Sequence, residues 1–163
     1  MIPKKIEAAM NKQINHELYS SYLYLSMSTY FMGLNLEGFA HWMRVQAKEE
    51  LAHGIKFYDH ILERGGTPKL DAIKAPEAAW KSPLEVCQAV VKHEQLISKN
   101  INALADLSLA EKDHASLTLL HWFVNEQVEE EANATLLAER VKMIKESAGG
   151  LLMLDRQLAK REG

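Results

Sequence analysis

The chain has 163 residues, 47% of them hydrophobic and 25% charged, which fits one globular domain and excludes a disordered chain. With 19 basic and 22 acidic residues the net charge is −3, so no broad basic surface advertises a nucleic acid partner. The single cysteine, Cys87, excludes an intramolecular disulfide and any Cys-rich metal site, and reads as an inert small hydrophobe. The opening MIPKKIEAAM has no apolar leader core, and no apolar run is long enough to span a bilayer. A cytoplasmic protein with no membrane partner is the expectation.

Helical periodicity dominates, and Ala, Leu, Glu and Lys are abundant. A first helix is expected from Pro3 to Gly33, with Ile6, Met10, Ile14, Leu18, Leu25 and Met32 on its apolar stripe. Asn35 is placed to cap a second helix that carries Phe39, Trp42, Val45, Ile55 and Leu62 and stops at Gly65-Gly66. The stretch TPKLDAIKAPEAAWK is too long for a turn between neighbours and suits a crossover along a bundle. Ser82-Pro83-Leu84-Glu85 is a capping box that opens a third helix, running to about Ala110. Asp113 is placed to cap a fourth, running to about Ser147 and broken by Gly149-Gly150. A short fifth helix follows with the stripe Leu151, Leu154 and Leu158, too short to stand alone and expected to bury that stripe against another subunit. The division is thus one domain over 1–163, with a four-helix bundle at 3–148 and a short helix and tail at 149–163.

Charged residues that fall on apolar stripes are the candidates for chemistry. Glu17 lies among Met10, Ile14 and Leu18, with Tyr24 seven residues on and on the same face. Glu50-Leu51-Ala52-His53 sets a carboxylate and an imidazole side by side at i and i+3. Glu94 sits between Val91 and Ile97, and Glu126, Gln127 and Glu130 fall within one turn of the fourth helix. Each long helix therefore offers a ligand near mid-length. Carboxylates with one imidazole suit iron, manganese or zinc. Four glutamates, Glu17, Glu50, Glu94 and Glu130, would balance two divalent ions. The remaining histidines (His16, His41, His60, His93, His114 and His121) have no partner in this pattern and read as surface or interface groups.

Bundles that bind two metals take one Glu from each of two helices and E-x-x-H from the other two. This chain fits on three helices and has Gln127-Val128-Glu129-Glu130, a Q-x-x-E, on the fourth. Together NHELYSSYLYLSM, FAHWMRVQAKEELAHGIKFYDHILERGG, KHE and HWFVNEQVEEEA resemble the prokaryotic non-haem ferritins over essentially the whole chain. The resemblance implies an all-α, ferritin-like four-helix bundle with one long crossover and a short fifth C-terminal helix. It implies an iron-storage ferroxidase in which Glu17, Glu50 and His53 hold one iron, and a bridging Glu50 with Glu94 and Glu130 holds a second. A third iron would lie among Glu49, Glu126, Glu129 and Glu130. Gln127 is carried with the catalytic and metal-contacting set, beside the dioxygen position, and Tyr24 as a hydrogen-bonded tyrosine at the centre. Ferrous iron and dioxygen or peroxide would be substrates, and the partners further copies of the chain, 24 to a hollow shell.

Departures from neighbouring families narrow this. Haem-binding ferritins place a methionine where this chain has Leu51, and they keep the second E-x-x-H, so no haem is expected. Two rival readings stay open: a di-metal oxidase acting on an organic substrate, and a purely structural helical shell. A DNA-binding storage protein is disfavoured by the short, weakly basic tail KREG.

Overall fold

The computed structural model describes residues 1–145 and 147–163. Its elements in chain order are α1 (Lys4–Gly33), α2 (Glu37–Glu63), α3 (Pro83–Ala110), α4 (His114–Ile144) and α5 (Ala148–Leu158). Side-chain pairs fix the directions. Ser28 and Ser21 of α1 donate to the carbonyls of Ala40 and Ala47 of α2, so these two helices run antiparallel. Tyr24 reaches Glu94, and Lys5 reaches Glu111, so α3 is antiparallel to α1. Gln46 reaches Glu130, and His60 reaches Ser116, so α4 is antiparallel to α2. Two antiparallel pairs in that order require one connection to run the length of the bundle. Residues 64–82 do so along α1: Asn11 Oδ1 accepts from Lys69 N at 2.6 Å and Ser26 Oγ donates to Glu77 O at 2.6 Å.

Two apolar clusters lie on either side of the bundle's middle. One gathers Tyr24, Met27, Phe31, Phe39, Met43, Val86 and Leu137. The other gathers Ile6, Met10, Ile14, Phe57, Ile61, Ile101 and Phe123, with Phe57 and Phe123 stacked at 4.1 Å. Each fully buried large side chain contributes about 1.5–3 kcal/mol. The expected stripes are partly displaced. Leu25, Met32, Ile55 and Leu62 are exposed, and Phe31, Phe57 and Ile61 take the interior positions. On α2 the apolar residues therefore cover two faces, and Leu51, Ile55, Tyr58 and Leu62 form an exposed row at intervals of three and four.

The helix ends also differ in detail from their sequence signals. Ser82 Oγ does accept from Glu85 N, at 3.2 Å, while the Glu85 carboxylate reaches back to Lys81 N. Asn35 does not cap α2. It takes a positive φ of 58° and closes α1, with Leu36 as the residue before α2. Asp113 stands at the N-cap of α4, but its carboxylate is held by Arg64 Nη2 at 2.8 Å. Gly65, at φ 70°, ends α2 in the left-handed conformation as its sequence position suggests. Gly149-Gly150 does not break α4. The reversal falls at Lys145, φ 55°, and both glycines lie in the first turn of α5, where Ser147 Oγ accepts from Gly150 N. The expected end of α4 near Ser147 runs through Glu146, which lies outside the described residues.

The largest revision concerns α5, which packs against α2 and α4 of its own chain. Leu154 is buried in the first apolar cluster, with Leu151 and Leu158 packed against it, so the stripe needs no second subunit to cover it. The approach is close: a Cβ at Gly38 would lie 1.7 Å from the Asp155 carbonyl oxygen. Asp155 Oδ1 then accepts from Phe39 N at 2.9 Å. A carboxylate from α5 thus satisfies an otherwise free N–H in the first turn of α2, where negative charge is favourable. Asp155→Ala should lower stability by about 1 kcal/mol, the usual loss for a removed cap. A thermal midpoint unchanged from that of the parent chain would contradict the capping role.

Candidate metal centre

Between the two apolar clusters lies a polar layer. Glu17, Tyr24, Glu50, His53, Glu94, Gln127 and Glu130 are all buried there, none more than 5% exposed. Their helices place them by spacing alone: one turn separates Glu50 from His53 and Gln127 from Glu130. Glu17, Glu50 and His53 each offer a ligand atom within 4.8 Å of the others, and are the one three-donor group this compact among the described residues. His53 Nδ1 lies 3.4 Å from Glu50 Oε2. The imidazole is walled by Trp122 and Phe123, whose rings lie edge-on at 5.6 and 5.7 Å.

The other two carboxylates are held apart from this group. Glu94 Oε1 accepts from Tyr24 Oη, and Glu94 Oε2 accepts from Gln127 Nε2 at 3.1 Å. Gln127 Nε2 also reaches Ser98 Oγ at 3.3 Å. Glu130 Oε2 accepts from Gln46 Nε2 at 2.8 Å, and Glu17 Oε1 from Gln13 Nε2 at 2.8 Å. Gln13 and Gln46 are buried members of the site that sequence reasoning missed. Each stands four residues before a candidate ligand, Glu17 and Glu50, so a buried-amide search at i−4 finds both.

Two carboxylate oxygens, Glu17 Oε2 and Glu50 Oε1, are buried and served by no other residue's donor, which leaves these two carboxyl groups to each other. A buried anionic oxygen without a partner is costly unless a cation completes it. The donor set of several carboxylates and one imidazole fits ferrous iron.

The residues expected around a third iron are less gathered. Glu49 and Glu126 are half-buried and Glu129 is exposed. They form no compact three-donor group among the described residues. The Glu49 carboxylate is instead paired with Arg161 Nη2 at 2.7 Å, a partner at the far end of the sequence. Of the unassigned histidines, His93 is half-buried rather than on the surface. Its Nε2 lies 2.7 Å from Ser20 Oγ, and burial lowers its pKa to about 4.

Electrostatics reflects four carboxyl groups in one dry layer. Burial, reinforced by the charge of Glu50, raises Glu17 well above the ordinary carboxylate value of 4.5. Burial and then the charge of Glu94 raise Glu50 in the same way. Burial also raises Glu94, against the hydrogen bonds from Tyr24 and Gln127. Glu130 is pushed up to about 7 by burial and by Glu94. Burial and the Glu94 charge likewise raise the Tyr24 phenol.

A four-helix bundle with one crossover and a buried carboxylate–imidazole layer across its middle defines the ferritin-like class of metal proteins. A sequence model of that family, described as a ferritin-like domain, matches residues 7–144. The bacterial non-heme ferritin of Bacteroides fragilis strain 638R is 44% identical over 161 residues, covering 99% of this chain and all of the relative. An open pore ferritin from the hyperthermophilic archaeon Archaeoglobus fulgidus superposes with a TM-score of 0.98 at 46% identity, over 99% of this chain and 100% of that one. A humanized archaeal ferritin gives 0.99 at 45% identity, with both chains covered in full. The chain belongs to the ferritins, the iron-storage family, among its prokaryotic non-heme members.

The raised carboxyl pKa values set a pH dependence. With Glu130 near 7 in the folded chain and near 4.5 in the unfolded one, the folded state holds more protons between those values. Stability of the metal-free protein is therefore fullest below about pH 4.5, as far as this group is concerned, and is lost as pH rises through about 7. Saturation with a divalent cation should flatten this trend. Unfolding midpoints with the same slope across that range, metal-free and metal-loaded, would rule out a shared buried centre.

Proposed function

We propose that the chain is a ferroxidase that oxidises ferrous iron with dioxygen at a two-iron centre inside each subunit, and stores the ferric product within a shell of copies of itself. The observation that carries this reading is the buried Glu17–Glu50–His53 group, with two carboxylate oxygens that no neutral donor serves. Glu17, Glu50 and His53 would bind one ferrous ion, and Glu50, Glu94 and Glu130 the other, with Glu50 shared. Two ferrous ions would give up one electron each to dioxygen, which with two protons from water leaves as hydrogen peroxide, and both irons become ferric. The protein's part is to hold both close together and to surround them with anionic oxygen donors that favour the ferric state. Tyr24 and Gln127 fix the Glu94 carboxylate, and Gln46 and Gln13 fix Glu130 and Glu17, so the donors are aimed before iron arrives. Iron here is substrate and cargo, and no haem is part of the reading.

Glu49, Glu126, Glu129 and Glu130 are proposed to take a third ion on the side of the pair where α2 faces α4. Assembly into a homo-oligomer of 24 subunits is proposed with it, in the cytoplasm. The exposed row Leu51, Ile55, Tyr58 and Leu62 on α2 supports self-association, because a row of this kind loses contact with water only against another surface. No helix among those described is long and apolar enough to cross a membrane.

Two variant sets test the assignment. Glu50→Ala or His53→Ala should slow aerobic ferrous oxidation at least about tenfold, roughly 1.4 kcal/mol in barrier. Initial rates unchanged in either folded variant would overturn the two-iron centre. Glu126→Ala combined with Glu129→Ala should remove about one iron per subunit in an anaerobic titration and leave two. Retention of three, or loss of all, would overturn the third site alone or the separation of the sites.

A further inference from the structure

Beyond α5 the chain turns back along α2. His41 Nε2 lies 2.7 Å from the Arg161 carbonyl oxygen. The Arg161 guanidinium sits 4.7 Å over the Trp42 ring, and a Cβ at Gly163 would meet Val45 Cγ1 at 2.4 Å. Successive turns of α2 thus guide the tail toward Glu49, where Arg161 Nη2 donates to Glu49 Oε2 at 2.7 Å. The pair is partly exposed, its side chains 22% and 38% accessible. Nη1 of the same guanidinium is buried without an acceptor. A guanidinium fork with one bond made and one nitrogen orphaned is placed by the tail and the tryptophan rather than by full satisfaction of its donors. Its partner lies directly before Glu50 in sequence, and the Glu49 charge bears on both Glu50 and Glu130.

We propose that Arg161 is a tethered counter-ion for Glu49, so that the C-terminal tail and a third ferrous ion compete for one carboxylate. The inference rests on the proposed assignment of Glu49 to the third site. A guanidinium offers only donors and cannot ligate a metal, so a cation that takes Glu49 must displace it. Among the described residues Arg161 makes no hydrogen bond to Glu17, Glu50, His53, Glu94 or Glu130, so binding of the pair leaves the tail in place. The consequence is an order of filling: the pair first, then the third ion, with release of the tail reporting that the third has bound. Arg161 is in this sense a positioning residue, acting through Glu49.

The test is anaerobic calorimetric titration of the assembled, full-length protein with ferrous iron, comparing the parent with Arg161→Gln, Arg161→Lys and Glu49→Gln. Arg161→Gln should bind the third ion about fivefold more tightly, the range of a partly exposed ion pair, with the first two unchanged. Arg161→Lys, which keeps the charge, should return the third affinity toward that of the parent. Hydrogen exchange over residues 159–163 should quicken in the parent at three ions per subunit and not at two, and should already be fast in Arg161→Gln. A third affinity equal in the parent and Arg161→Gln, while Glu49→Gln loses that ion, would overturn the competition and leave the third site standing. Three ions bound by Glu49→Gln as tightly as by the parent would overturn the third-site assignment and the inference with it.

Discussion

Four carboxyl groups must share a layer from which water is largely excluded, and much of this bundle is arranged around that demand. A buried carboxylate favours its neutral form, and each like-charged neighbour deepens the preference. Neutral amides and a phenol meet it in the free protein: Gln13 on Glu17, Gln46 on Glu130, Tyr24 and Gln127 on Glu94. Such donors stabilise an anion without adding a fixed positive charge that would compete with a metal. The two apolar clusters above and below the layer keep it dry, which strengthens both the repulsion among the carboxylates and any cation's attraction to them.

The helices tolerate this layer because their length carries the stability elsewhere. Each of the four spans 27 to 31 residues, and only one to three turns of each face the polar region. The rest is mostly aromatic and aliphatic packing. Division of labour along the axis lets a costly site sit in a stable scaffold, as expected where function asks for strain.

The buried Glu17–Glu50–His53 group was legible in the sequence because its signals are local. Glu17 interrupts an apolar stripe, and Glu50 and His53 fall at i and i+3 on one face. Gln13 and Gln46 obey equally local spacing, but a buried amide looks like any surface glutamine until its neighbours are known. The helix ends show the limits of local chemistry. Asn35 is a good capping residue, yet it occupies a left-handed position, and Asp113 caps by location while Arg64 takes its carboxylate. The place of α5 could not be read at all, since Gly38 and Asp155 meet through tertiary packing with no shared periodicity. Arg161 was equally hidden, its partner Glu49 being 112 residues away.

The contact between Asp155 and Phe39 N closes a loop of 116 residues to complete one helical turn. During synthesis α2 leaves the ribosome long before the residue that finishes its first turn has been made. The bond from Phe39 N can therefore form only after α5 has been made. A product stopped short of α5 would leave the Phe39 N–H without this acceptor and uncover the side of the first apolar cluster on which Leu154 packs.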